Sequence, residues 1–190
     1  MTTVSIHQPT SSTDHHHDDL EEFAAVPGVG ASTVRVRRVA AGDGPALIAV
    51  LERMSLRTRW LRFHSPIVRF SGAQLRGLLA ADHYDRSVLL AEVQAEPGRW
   101  QLVGFAQYAR IADDRADAAI VLEDAWQGRG IGRALALELV GAARAAGIVA
   151  FTSEILTENR RTLAFARALA RRTEGRLLGI TTELTCWLVP

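Results

Sequence analysis

Val121-Leu122-Glu123-Asp124-Ala125-Trp126-Gln127-Gly128-Arg129-Gly130-Ile131-Gly132-Arg133 reads as a strand end, a short loop and three alternating glycines opening a helix. Glycine permits positive φ and lets a ligand approach the backbone closely. The first N–H groups of a helix lack internal partners, and together with the dipole they favour an anion. Arg129 and Arg133 add positive charge beside them. The local physics is that of a phosphate or pyrophosphate site.

Two common nucleotide readings fail. A dinucleotide fingerprint needs Gly-x-Gly-x-x-Gly, and Arg133 stands where the third glycine belongs. A P-loop needs a lysine, and all 22 basic residues of the chain are arginine. The absence of lysine also excludes Schiff-base chemistry and acylation of the chain's own lysine side chains.

Outward from this stretch, Ile131, Leu135, Leu139, Ala142 and Ala146 form the apolar face of a helix that ends at Gly147. A strand over 148–156 and a helix over 160–172 follow, with Asn159 at the N-cap position. Upstream, Thr33–Val39 alternates valine with arginine as a half-exposed strand. Asp43-Gly44-Pro45 signals a helix start with Asp43 as N-cap. Residues 55–64 form a second short helix or an irregular segment, and Ser71 with Gln74 makes a capping box for a third. Strands are expected over 87–93, 100–110 and 116–122, and two short ones near 176–178 and 181–188. This order describes an α/β domain over residues 32–190 with a mixed sheet covered by helices.

Residues 1–31 lack hydrophobic periodicity and read as a disordered N-terminal arm, with 20–26 either a helical turn or loose. The cluster His15-His16-His17, flanked by Asp14, Asp18 and Asp19, has the composition of a metal tract but no folded shell around it, so no metal site is assigned. A net charge of +1 without a basic stripe gives no nucleic-acid footprint. The single cysteine, Cys186, alternates with Leu184 and Leu188 as a core residue and fits a reducing compartment. With no signal pattern or membrane-length apolar run, the expected location is cytoplasmic.

The spacing of Gln127, Gly130 and Gly132 matches Gln/Arg-x-x-Gly-x-Gly/Ala and resembles the acyl-CoA loop of the GNAT N-acetyltransferases. Glu154-Ile-Leu-Thr-Glu158-Asn159-Arg160-Arg161 is similar to the family's second signature. Leu56-Arg-Thr-Arg-Trp60-Leu-Arg62-Phe-His64-Ser65, Gly104-Phe-Ala-Gln-Tyr108 and Ala116-Asp117-Ala-Ala119 resemble bacterial Pat-type protein lysine acetyltransferases. The resemblance spans residues 33–188. It implies acetyl-CoA as co-substrate, in a cleft between two splayed parallel strands. The cofactor would be held by backbone groups of Ala119, Ile120 and Val121 and by Gln127, Gly128, Arg129, Gly130, Ile131 and Gly132. Asn159 would touch it, and Arg167 would reach a CoA phosphate or stay solvated.

In Pat-type enzymes a glutamate on the strand before the loop is the general base, and Asp117 holds that place here. Asp117 shares a face with Ala119 and Val121, so it either enters a cleft, where burial raises its pKa, or is solvated near the strand start. Glu154 is the reserve base. The tyrosine that many relatives use as general acid is absent, and that helix offers Phe165. His64 and His83 fall in or beside segments that would wall the acceptor site. The acceptor would be a protein lysine or a small-molecule amine, and the protein itself a monomer or homodimer. A CoA-binding module with little catalysis is the remaining reading.

Overall fold

The computed structural model describes residues 22–23, 33–65 and 69–189. In chain order the elements are β1 (Glu22–Phe23), β2 (Val34–Arg38), α1 (Gly44–Arg53), α2 (Leu56–Phe63), α3 (Gly72–Leu79), β3 (Arg86–Glu96), β4 (Arg99–Ala112), β5 (Arg115–Leu122), α4 (Ile131–Ala145), β6 (Ala150–Leu156), α5 (Arg160–Leu169), β7 (Arg172–Leu178) and β8 (Thr181–Trp187). They build one mixed eight-stranded sheet in the order β1-β2-β3-β4-β5-β6-β8-β7. Only β5 and β6 run parallel, because α4 crosses between them while the other neighbours are antiparallel.

Each face of the sheet has its own core. Ile131, Leu135, Leu139 and Ala143 repeat every four residues along α4 and bury against Leu89, Ala91, Ala106 and Tyr108. On the opposite face Leu47, Val50 and Leu51 of α1 and Leu78 of α3 pack on Val88, Leu90, Phe105 and Val121. Leu163 of α5 covers Ile155 and Leu184 beside the α4 core.

Several expectations are corrected here. Asp43 makes no side-chain cap on α1. Its carboxylate accepts bonds from Arg37 Nη1 and Nη2 at 2.7 Å each and from Ala40 N at 2.7 Å. Arg37, expected among the polar residues of a half-exposed strand, is buried and also donates to Glu92 at 2.8 Å. A buried guanidinium needs carboxylates, and the one within reach in sequence was drawn from its capping role. Burial opposes ionisation of Asp43, but Arg37 and the Ala40 N–H outweigh it and hold its pKa below the usual carboxylate value.

Residues 56–63 are helical because Ser55 caps them, its hydroxyl accepting from Thr58 N. The Ser71–Gln74 capping box forms in both directions. α5 stops at Leu169, three residues before the expected end, and β7 starts at Arg172, earlier than expected, since Arg172 to Leu178 pair along β8. Glu22 and Phe23 pair with Arg37 and Val36 as a strand rather than a helical turn. The rest of the arm, with His15–His17, lies outside the described residues. Among the described residues no helix is long and apolar enough to cross a membrane.

Candidate active site

The ladder between β5 and β6 holds for three pairs, Arg115–Ala150, Ala116–Phe151 and Asp117–Thr152, and then the strands part. Ser153 bridges the opening by donating to the Ala118 carbonyl at 2.7 Å. Beyond it, the β6-facing backbone groups of Ala119, Ile120 and Val121 have no strand partner on that side. Gly104 sets the other flank of β5. A Cβ there would meet Leu122 Cδ2 at 2.3 Å and the Val121 carbonyl at 2.5 Å, so only glycine lets β4 and β5 approach so closely.

The parted strands open a cleft of about 620 Å³ that runs from α2 past the glycine loop to α5. Ala119, Ile120, Val121, Gln127, Gly128, Gly130 and Gly132 line it, as do Glu154 and Asn159. Gly128 and Gly130 hold φ of 77° and 89°, values that a side chain resists. Gly130 accepts the first helical bonds from Arg133 N and Ala134 N. The N–H groups at the start of α4 thus point into the loop without helical acceptors.

Gln127 acts as a brace. Its amide donates to the Leu122 carbonyl at 3.0 Å and to Thr58 at 3.3 Å, and accepts from Arg161 at 3.2 Å. One side chain therefore ties β5, α2 and α5 around the cleft mouth. Asn159 caps α5 by accepting from Thr162 N at 3.2 Å. Arg129 leans over the Trp126 ring, 4.8 Å from its centroid, and does not line the cleft. Ile131 is fully buried in the α4 core, so it offers the cleft its backbone alone. Arg167 also lies off the cleft wall, exposed on α5.

Asp117 occupies the last pair of the parallel ladder, next to the lining residues Ala118 and Ala119. The residue is exposed and does not itself line the cleft, yet the protein around its carboxyl raises the pKa above the ordinary value. Desolvation is the main cause; Glu154 adds to it, and Arg62 pulls the other way. Arg62, on α2, faces it across the opening. Its Nε is buried without a hydrogen-bond partner, and burial lowers the guanidinium pKa against the attraction of Asp117. Glu154 accepts the Thr181 hydroxyl at 2.7 Å.

Cys186 is half-buried and lines the cleft. Burial pushes its thiol up to about 11, with a small opposing pull from Arg167. It stays a protonated thiol at neutral pH and is no nucleophile. Phe165 lines the cleft as an apolar ring. His64 closes α2 in a left-handed turn and His83 lies ahead of β3; neither lines the cleft. Among the described residues no cluster of His, Cys, Asp or Glu could hold a metal.

The sequence pattern did not single out Arg62, Asp124 or Arg161 as parts of the site. Asp124 accepts from Ser55 N, Ser55 Oγ and Thr58 Oγ1 at 2.7–2.8 Å, docking the start of α2 on the loop after β5. Glu158 accepts from Trp60 at 3.0 Å and Arg57 at 3.1 Å on the other flank. These partners lie 66 to 101 residues apart, a separation at which local spacing carries no signal.

The geometry is matched by known proteins. The sequence model of the acetyltransferase (GNAT) family fits residues 55–170. The GNAT domain of PAT from S. lividans superposes with a TM-score of 0.79 at 26% identity, over 88% of this chain and 97% of that one. The cAMP-binding acyltransferase from Mycobacterium smegmatis shares the fold at TM-score 0.59 and 21% identity; the match covers 90% of this chain and 48% of that one. So does yncA from Salmonella typhimurium, solved with its cofactor acetyl-CoA, at TM-score 0.61 and 16% identity over 83% and 94% of the two chains. No curated protein matches the sequence significantly. A parted parallel strand pair, a glycine loop at a helix start and a family match over most of the domain agree: this chain belongs to the acetyltransferase (GNAT) family.

Proposed function

We propose that the enzyme transfers the acetyl group of acetyl-CoA to a protein lysine, with Asp117 as general base. The cleft suits the co-substrate. Its glycine loop presents helix-start N–H groups to a pyrophosphate, and around Gly130 a Cβ would meet nothing within 4 Å, so the space for the ligand is open. The parted β5 offers backbone groups to an extended pantetheine arm. Bound there, acetyl-CoA supplies the reactive thioester.

A lysine amine titrates near ~10.4 and must lose a proton before it attacks. Asp117 at the end of the parallel ladder is the observation that carries the proposal. Its pKa, raised chiefly by desolvation, makes it a stronger base than an ordinary carboxylate. Asp117 accepts one proton of the ammonium, the neutral nitrogen attacks the thioester carbonyl, and the second N–H proton passes to water as the C–S bond breaks. Backbone N–H groups of the parted strand suit the developing oxyanion. The thiolate takes its proton from water, because Phe165 offers none. Likeness to the PAT domain supports a protein lysine as acceptor.

Asp117→Asn tests this. Turnover of a lysine peptide should fall by about 10²–10⁴-fold, while calorimetric affinity for acetyl-CoA stays the same. Unchanged turnover would remove Asp117 from the mechanism. Glu154→Gln, which breaks the link to Thr181, should cost far less, and a larger loss there would transfer the role to Glu154.

A further inference from the structure

A second cavity, of about 470 Å³, lies between α2, α3 and the sheet. Arg62 lines both this cavity and the acyl-CoA cleft, so the two meet at one side chain. Ala109, the cross-strand partner of Asp117, lines it as well. Whatever occupies it sits beside Asp117.

Its charge is one-sided. Arg62 and Arg86 line it, and among the described residues no carboxylate does; Asp117 is the nearby acid that acts on Arg62, from beside the cavity. Nearby arginines are matched: Arg110 pairs with Asp85 at 2.6 Å and Arg53 with Glu123 at 3.0 Å. Arg86 makes no side-chain hydrogen bond or ion pair with a described residue, and Arg62 keeps a buried Nε without a partner. Arginine does not escape this cost by losing its proton. A buried guanidinium N–H without a partner, here the Arg62 Nε, is expensive unless a ligand completes it, and the exposed Arg86 is free to add to the same ligand.

The walls favour that completion. Phe63, Phe70 and Phe105 stack edge-on and tilted, with centroids 6.0 and 6.2 Å apart. Apolar walls exclude water and strengthen a charge pair. A polycation such as a polyamine would be repelled.

We propose that this cavity is an anion subsite that selects acceptor lysines next to an acidic side chain, whose carboxylate sits on Arg62 and Arg86. This rests on the lysine reading above and narrows it to acidic peptide segments.

The test uses two fluorescent peptides, identical except for Glu or Gln beside the lysine. Their binding to the full-length protein saturated with CoA is followed by anisotropy, and acetyl transfer is assayed in parallel. The Glu peptide should bind about tenfold tighter, as expected for a charge-assisted bond. Arg86→Gln should bring the ratio near one, Arg86→Lys should keep part of it, and acetyl-CoA affinity should not move. Arg86 is exposed at the start of β3, and a melting curve checks that the variant folds. Equal affinities in the wild type, no binding of either peptide, or a preference that survives Arg86→Gln would overturn the subsite. So would weakened CoA binding in that variant, which would assign the arginines to the cofactor. A binding preference without transfer breaks the lysine acetylation reading and leaves the subsite standing; transfer without preference does the reverse.

Discussion

The two faces of the sheet are fastened by different means. On the α4 face, an apolar stripe of Ile131, Leu135, Leu139 and Ala143 sets the helix so that its first turn meets the end of β5. On the α1–α3 face an apolar core exists too, but polar links fasten the segments around it. Arg37 joins Asp43 and Glu92 under α1, Asp124 holds the start of α2, and Glu158 holds Trp60 and Arg57. The first face holds a ligand whose chemistry is constant, and dispersion with backbone geometry suffices for it. Under the function proposed above, the second would meet the acceptor, and its side chains would carry the selectivity.

The largest expected effect attacks the polar links at their root. Arg37→Ala would leave Asp43 and Glu92 buried without their cation, at a cost of about 3–5 kcal/mol. Urea unfolding should record that loss. A cost near zero would mean that the α1 face rests on its apolar core alone, and the contrast between the faces would collapse. Next comes the cofactor face. Gly130→Trp forces a side chain onto a φ of 89° and into the mouth of the loop. Affinity for acetyl-CoA should drop about 100-fold, or ~2.7 kcal/mol, with the fold retained. Calorimetry that showed unchanged affinity would remove the loop from the cofactor site.

The same contrast explains what could be read from the chain. The cofactor half is local. Gly128, Gly130 and Gly132 lie within five residues, and the stripe that follows them has the helical period, so loop, helix and strand end were legible together. Asn159 was legible as a cap for the same reason. The proposed acceptor side joins Arg62, Arg86 and Asp117, which only the strand register and the docking of α2 bring together. Arg37 looked exposed because the alternation of one strand does not reveal what its neighbour, here Glu92 on β3, will offer. Asp43 looked like a cap because the cation that claims it was assigned to solvent. The boundary between α5 and β7 moved because pairing with β8 outweighs the helix propensity of an Ala- and Arg-rich segment.

A smaller effect follows from the docking of α2. Asp124→Ala removes three bonds at the surface, so the loss of stability should stay under about 1 kcal/mol. The KM for peptide should nevertheless rise, since α2 carries Arg62 to the meeting point of the two cavities. If KM stays fixed, the cap of α2 is a feature of folding alone and the polar links of this face divide into two kinds.

The smallest effect has the opposite sign. Asp117 has a pKa raised in the folded protein, chiefly by desolvation, even with Arg62 nearby. Its protonated form is thus favoured by folding, and this contribution is fully present below the unfolded pKa. It is lost as pH rises through the folded value, so above that value ionised Asp117 weakens the fold. Asp117→Asn removes the charge, and its melting temperature at pH 7 should rise slightly above that of the wild type. The gain should shrink as pH falls into the acid range, where the wild-type carboxyl is itself neutral. A base held at a stability cost is what the reaction requires, whereas a solvated strand-start aspartate would carry none. A melting temperature that falls at pH 7 would show that the attraction to Arg62 prevails, and Asp117 would then join the polar links that hold the acceptor face.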